Sequence, residues 1–167
     1  MDNLASRYKK IYSEYLETVA PLIIRYETLV NKFPIGILNE IRAVFGHLAK
    51  YNVSEQEETK EKELSKAENH FTRLKRDCYK YLCMAYEDKY KEFQNLAIDR
   101  FEEPIKTMAI KVSQLHEKAI DNVLIAREME LSIYSEEKHE KSFNYYEQAF
   151  EYFNKIQDII KQTIEKI

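Results

Sequence analysis

Glycine and proline are almost absent from this chain, and their scarcity limits its fold more than any other feature. The 167 residues include 2 glycines and 3 prolines, and no glycine follows Gly46. Sheet sandwiches, barrels and nucleotide-binding α/β folds need many tight turns, which glycine and proline supply. A chain with so few turn-formers has to run in long helices. We therefore predict an all-α fold, an elongated up-down bundle of four or five long helices that forms a dimer.

Apolar residues recur at spacings of three and four along the chain, which is typical of helices and not of strands. Pro34 and Gly36 separate the first helix from the second, and Pro104 opens the fourth. Pro21 should kink or split the first helix just before it. The pattern predicts a single helical-bundle domain over residues 1–167, with helices at about 2–33, 37–51, 55–103, 105–131 and 135–166.

The same spacing predicts which side chains of the second and third helices are buried. In the second helix the stripe expected to face the core consists of Leu38, Ile41, Phe45 and Leu48. The third helix begins with residues 55–66, which are mostly glutamate and lysine with Leu64 as the main apolar residue. We expect these first turns to project into solvent or to fray, because one apolar residue makes no stripe.

Charge and hydropathy exclude several classes of protein. The net charge is −3, which argues against a generally cationic nucleic-acid binder. The longest apolar run, Val19–Ile24, is far shorter than the ~20 residues that cross a bilayer, so we expect no membrane association. The first residues lack the pattern of a signal peptide. Cys78 and Cys83 fit reduced thiols in a protein core, so we expect a cytoplasmic location.

One short pattern suggests a family. Arg42 precedes His47 by five residues on the predicted second helix. This pair resembles the arginine–histidine motif of the HEPN superfamily, helical bundles that include metal-independent ribonucleases of prokaryotic toxin and phage-defence systems. The resemblance implies that Arg42 and His47 of two protomers meet across a dimer interface. Arg42 would hold an RNA phosphate and His47 would act as acid or base, since imidazole titrates near neutral pH.

A basic cluster on the predicted third helix could contact phosphate. Its members recur at spacings of three, four and seven, and the segment 69–80 carries a charge of +3. An antiparallel hairpin of the second and third helices would bring it near Arg42 and His47. The cluster fits either an RNA- or phosphate-binding patch or a solvated face paired with neighbouring carboxylates, and it consists of Asn69, His70, Arg73, Arg76 and Lys80.

The last helix has a wide apolar face with many aromatic side chains. Aromatic residues with a polar tip are common at interfaces, and they also fill the outer layers of narrow bundles. We interpret this seam as a candidate interface formed by Phe143, Tyr146, Phe150, Phe153 and Ile160.

Two functions of different classes fit this sequence. The first is a binding or scaffold protein, a prokaryotic cytosolic homodimer that mediates protein–protein interaction. The alternative is an HEPN-like metal-independent ribonuclease or an RNA-binding component of a toxin or phage-defence system. The chain contains no Cys-x-x-Cys, no His-x-x-x-His and no glycine-rich phosphate loop. We therefore predict no metal and no cofactor, and the sequence leaves open whether the protein is an enzyme.

Overall fold

The described part of the chain is helical. A computed structural model describes residues 3–97, 103–131 and 136–164, and no strand occurs within these ranges. The all-α prediction is therefore confirmed. The segments are α1 (Leu4–Glu14), a π-helical turn (Tyr15–Val19), α2 (Ala20–Val30), α3 (Ile35–Val53), α4 (Glu57–Ala97), α5 (Glu103–Glu130) and α6 (Glu136–Ile164).

The first predicted helix is one continuous path made of α1, the π turn and α2. The Asn3 side chain accepts from the backbone N–H of Ala5 and caps α1. At the end of the π turn the N–H of Ala20 bonds the carbonyl of Tyr15, one residue further back than in an α-helix. The wider turn lies directly before Pro21, which has no N–H to donate. The split expected at this proline is thus a π turn.

The observed helix bounds lie close to the predicted ones. The largest difference at a described boundary is at the end of α2, which stops at Val30 because Asn31 adopts a left-handed backbone with φ of 54°. Asparagine tolerates this conformation and often ends helices in it. The predicted starts at residues 2 and 135, the stretch 98–102 of the third helix and the predicted end at 166 lie outside the described residues. Glu103, the predicted end of the third helix, is the first residue of α5.

The contacts of the chain divide it into two compact units, Met1–Tyr81 and Leu82–Ile167. In the first unit α1 runs parallel to α4, because Arg7 bonds Glu68 and Lys75 bonds Glu14 at the same sequence separation of 61. α3 runs antiparallel to α1, since Tyr8 of α1 stacks on Tyr51 at the end of α3. The first unit is therefore an up-down arrangement of α1, α3 and the first part of α4.

The second unit is built from the rest of α4 with α5 and α6. Tyr86 of α4 stacks on Phe153 of α6 with ring centroids 6.1 Å apart. His116 of α5 meets the same Phe153 edge-on, at 6.2 Å between centroids. Tyr146, earlier on α6, lies close to Glu130 near the end of α5, and this carboxylate raises the pKa of the Tyr146 hydroxyl. Since the earlier α6 residue meets the later α5 residue, α5 and α6 are antiparallel.

The predicted buried stripe of α3 is wrong at two of its four positions. Leu48 is buried and Ile41 is half-buried, but Leu38 is 43% and Phe45 is 69% exposed. Ile37 and Val44 are buried instead. The sequence offers apolar residues on both sides of the helix, so spacing alone does not select between two overlapping stripes.

The expectation that the first turns of α4 project into solvent or fray is right only in part, since residues 55–58, 61 and 62 are exposed but the other residues up to 66 are not. Leu64 is fully buried and Glu63 is 7% exposed. The Arg7 guanidinium of α1 contacts Glu61, Ser65 and Glu68 on this segment. The two carboxylates raise the pKa of Arg7, so it stays charged. The acidic turns thus pack against α1, which supplies the cation Arg7. The spacing of apolar residues within one helix does not reveal such a contact between helices.

Candidate functional site

Two histidines from different helices of the first unit form one cluster. His47 of α3 and His70 of α4 stack with ring centroids 5.3 Å apart and an angle of 21° between the planes. The Nδ1 atom of His47 lies 2.7 Å from Glu63 Oε2, and the Nδ1 atom of His70 lies 2.7 Å from Glu40 Oε2. A carboxylate oxygen accepts, so each Nδ1 donates its hydrogen and the contact holds the ring in one orientation.

The register of two antiparallel helices produces this cluster. Seven residues separate Glu40 from His47 on α3, and seven separate Glu63 from His70 on α4. Seven residues are about two helical turns, so each helix presents one glutamate and one histidine on the same face. The sequence analysis singled out both histidines and neither carboxylate. The matching spacing was the signal that could have found Glu40 and Glu63.

Glu63 is the most strongly held carboxylate of the cluster. Lys66 Nζ lies 2.7 Å from its Oε1, and the His47 ring lies at its Oε2. Hydrogen bonds from Lys66 and then from His47 lower the pKa of Glu63 to about 2, from an ordinary value of 4.5. Glu63 is therefore ionised at neutral pH and fixes the orientation of the His47 ring.

Arg42 is not part of the histidine cluster. Its side chain is exposed, whereas His47 is half-buried against α4. Five residues correspond to about 140° around a helix, so the two side chains leave α3 in different directions. Arg42 lies instead about 60° from Phe45, three residues further along. Within one chain the structure does not bring Arg42 and His47 together.

The predicted basic cluster does not form one exposed stripe. Asn69 and Arg73 are exposed. His70 is half-buried and bonded to Glu40. Arg76 is half-buried, with its Nη2 atom 3.5 Å from Asp77 Oδ1. Lys80 is also half-buried. The stripe is therefore largely engaged with neighbouring groups in the folded unit.

The aromatic seam of α6 lies mostly inside the second unit. Tyr146, Phe150 and Phe153 are 0%, 8% and 1% exposed, so within one chain they offer little surface to another molecule. Phe143 and Ile160 are half-buried at either end of the seam. Burial and the Glu130 carboxylate raise the pKa of Tyr146. The structure thus places the central three residues in the core.

An apolar groove on the first unit was not predicted from the sequence. It encloses about 380 Å³ between α1 with the π turn on one side and α3 on the other. Phe71 and Leu74 of α4 line it as well. Its lining includes three side chains that are substantially exposed, namely Tyr12 at 43%, Leu16 at 69% and Phe45 at 69%. We call this feature the α1–α3 groove.

The π turn contributes directly to the α1–α3 groove. Tyr15 and Leu16 are the first two residues of that turn, and both line the groove. π turns inside α-helices are frequent at functional sites, because the extra residue changes which side chains face a neighbour. Here the turn leaves Leu16 facing both the groove and solvent. A volume of this size is in the range of natural binding sites.

Within the described ranges, no group of three or more histidine, cysteine, aspartate or glutamate side chains could hold a metal ion. No described helix contains an apolar stretch long enough to cross a bilayer. No protein-family model, curated protein or solved structure matches this chain.

Proposed function

We propose that this protein is a helical binding module that mediates protein–protein interaction through the α1–α3 groove. The observation that carries the proposal is the exposure of Phe45 and Leu16 over an apolar cavity. Each is 69% exposed, although a large apolar side chain contributes about 1.5–3 kcal/mol when it is fully buried. Grouped apolar exposure of this kind marks binding surfaces more often than isolated exposed residues do.

The neighbouring contacts show that this exposure is not a sign of a loose fold. Ile11 and Leu48 line the groove and are 4% exposed, and Leu74 is 1% exposed. Two ion pairs join α1 to α4 beside the groove. Arg7 pairs with Glu68, and Glu14 pairs with Lys75. The walls are therefore fixed by contacts below the rim, and a partner would meet a largely preformed surface.

Photo-cross-linking in the cells that make the protein tests this proposal. A benzophenone amino acid replaces Leu16 in one variant and Ile110 in a matched control. Ile110 is 63% exposed on α5 and belongs to the second unit. We expect protein adducts of defined mass from position 16 and not from position 110. The proposal fails if position 16 gives no adduct or the same adducts as position 110.

Homodimerisation is a separate part of the proposal. It follows from the wide apolar faces in the sequence and from exposed apolar side chains outside the groove, such as Ile35 and Leu38 on α3. Light scattering at micromolar concentration measures the mass directly. A dimer has twice the 20.1 kDa of one chain, and the monomer mass at all concentrations would contradict this part.

The histidine cluster favours RNA cleavage as a second candidate function. Two stacked imidazoles, each oriented by a carboxylate, can supply one acid and one base. In this alternative His47 performs proton transfer, and Arg42 reaches the phosphate from a second protomer. The exposed Arg73 adds affinity for RNA and a salt dependence.

A nuclease assay without added metal separates this candidate from the first. His47→Ala should abolish cleavage of total cellular RNA, and Arg42→Ala should reduce it. The control is His116→Ala, since His116 also bonds a carboxylate, Glu87, but lies in the second unit. Equal cleavage by all three variants would point to a contaminant, and no cleavage by the wild type would end this candidate.

A further inference from the structure

We infer that the partner in the α1–α3 groove is an amphipathic helix with acidic flanks, supplied by another protein. This inference rests on the proposed function and adds the chemistry of the partner. A groove between two helices, floored by a third, suits an apolar helix face that inserts side chains at positions i, i+3, i+4 and i+7. The shape of the groove favours a helix as the partner. The charges around the groove favour acidic residues beside the apolar face of that helix.

The exposed charges on the groove walls are mostly positive. On α1, the π turn and α3 the exposed charged side chains are four cations and one anion, and one of the cations, Lys10, lies 3.7 Å from the half-buried Glu14. They are Lys9, Lys10, Arg42 and Lys50, against Glu17. The whole chain, in contrast, has a net charge of −3. The walls of the groove thus differ in sign from the average of the protein.

Two of these cations lie next to the rim of the groove. Lys9 precedes Tyr12 by three residues, and Arg42 precedes Phe45 by three. Residues three apart on a helix are neighbours on one face. A helix bound in the groove would therefore meet one cation on each side, from α1 and from α3. Glutamate or aspartate beside the inserted apolar residues would be attracted to both walls.

The same charges disfavour a second copy of this chain as the occupant. A two-fold dimer brings the same patch of both subunits together. Pairing two α1–α3 grooves would bring two sets of walls with the same excess of positive charge together. Such like-charge contacts are costly, and they select against the wrong partner. Homodimerisation, where it occurs, should use another surface.

Selection from a library of displayed helical peptides tests the inference. The library is randomised at the apolar and at the charged positions, and it is selected on the full-length protein. A parallel selection uses the charge-reversed double variant Lys9→Glu/Arg42→Glu. The matched control is Lys111→Glu/Lys118→Glu, which reverses two exposed cations of α5 in the second unit.

We expect acidic helices to be enriched on the wild type and on the control, and basic helices on the charge-reversed variant. The selected acidic helix should bind the wild type at least about tenfold more tightly than the charge-reversed variant. Enrichment of the same helices on both proteins, or of none, overturns the inference. The inference is also overturned if no helix is selected and the protein instead binds RNA through Lys9 and Arg42.

The outcome also separates this inference from the proposed function. Adducts from position 16 in cells, combined with peptides that show no charge preference, would leave the binding module standing and remove the acidic partner. Absence of those adducts would remove the proposed function itself.

Discussion

His47 of α3 and His70 of α4 lie face to face at 5.3 Å, and each ring is tied to a glutamate of the opposite helix. This arrangement joins α3 to α4 through two hydrogen bonds on one side of the first unit. Glu63 is its most constrained member, because Lys66 and His47 both contact its carboxylate.

Replacing Glu63 by Gln should lower the free energy of unfolding at neutral pH, and it should lower it by less at acidic pH. The folded chain lowers the pKa of Glu63 from 4.5 to about 2, so ionised Glu63 favours the folded state. That contribution is fully present above pH 4.5 and is lost as the pH falls toward 2. Urea unfolding of wild type and variant at a series of pH values measures the difference.

The control for this experiment is Glu151→Gln, which neutralises an exposed carboxylate on α6. This substitution should change the free energy of unfolding by less than about 0.5 kcal/mol at every pH of the series. A Glu63→Gln effect that stays constant from pH 7 to pH 3 would contradict the role assigned to the carboxylate charge.

The two glycines of α3 should respond to alanine in opposite directions. A Cβ at Gly46 meets nothing within 4 Å, so Gly46→Ala should raise the free energy of unfolding by about 0.5–1 kcal/mol. A Cβ at Gly36 would lie 2.6 Å from the Tyr81 hydroxyl oxygen, and Gly36→Ala should therefore be destabilising. Tyr81→Phe in the Gly36→Ala background should recover part of the loss. Stabilisation by both single substitutions would show that Gly36 is not in close contact with Tyr81.

Phe150 should be a stability residue of the second unit. It is 8% exposed and lies 6.0 Å from Tyr86 between ring centroids. Phe150→Ala should lower the free energy of unfolding by about 3–5 kcal/mol, since it leaves a cavity. Leu124→Ala, at a position 51% exposed on α5, should change it by less than about 0.5 kcal/mol. Similar unfolding curves for the two variants would contradict the burial of the seam.

Both cysteines should resist thiol reagents in the folded protein. Burial raises the pKa of Cys78 and of Cys83 from 9.0 to about 12. The reactive species is the thiolate, which the folded chain does not form at pH 8. Labelling with a disulfide reagent should therefore be slow without urea and fast with it. Rapid labelling of either thiol in native conditions would mean that it is not buried.

The raised pKa values of the two thiols also predict how the free energy of unfolding changes at alkaline pH. The unfolded thiols ionise from about pH 9, whereas the folded ones stay protonated to about pH 12. Unfolding therefore releases protons in this window, and the free energy of unfolding should fall as the pH rises through it. Cys78→Ser and Cys83→Ser should each reduce the slope. An unchanged slope in both variants would contradict this origin.

Much of the fold could be predicted from the sequence, because helix ends depend on local chemistry. Pro34 marks the break before α3, and Pro21 marks the position of the π turn. Burial on a given helix was less predictable. Phe45 and Val44 are both apolar, and only the position of neighbouring helices decides that Val44 is buried and Phe45 is exposed.

The candidate site was predictable only in part for the same reason. Helical spacing singled out His47 and His70 separately. Their meeting, and their pairing with Glu63 and Glu40, depends on the register of α3 against α4. The α1–α3 groove depends on three helices at once, so no single segment of the sequence contains its signal.

The central claim is that Phe45 is exposed for binding and contributes little to folding. The measurement that tests it most directly is the yield of cross-linked adduct from position 16 in cells, compared between wild type and Phe45→Ser. We predict loss of the adduct in Phe45→Ser, with a free energy of unfolding changed by less than about 0.5 kcal/mol. An undiminished adduct from a folded Phe45→Ser variant would contradict the claim.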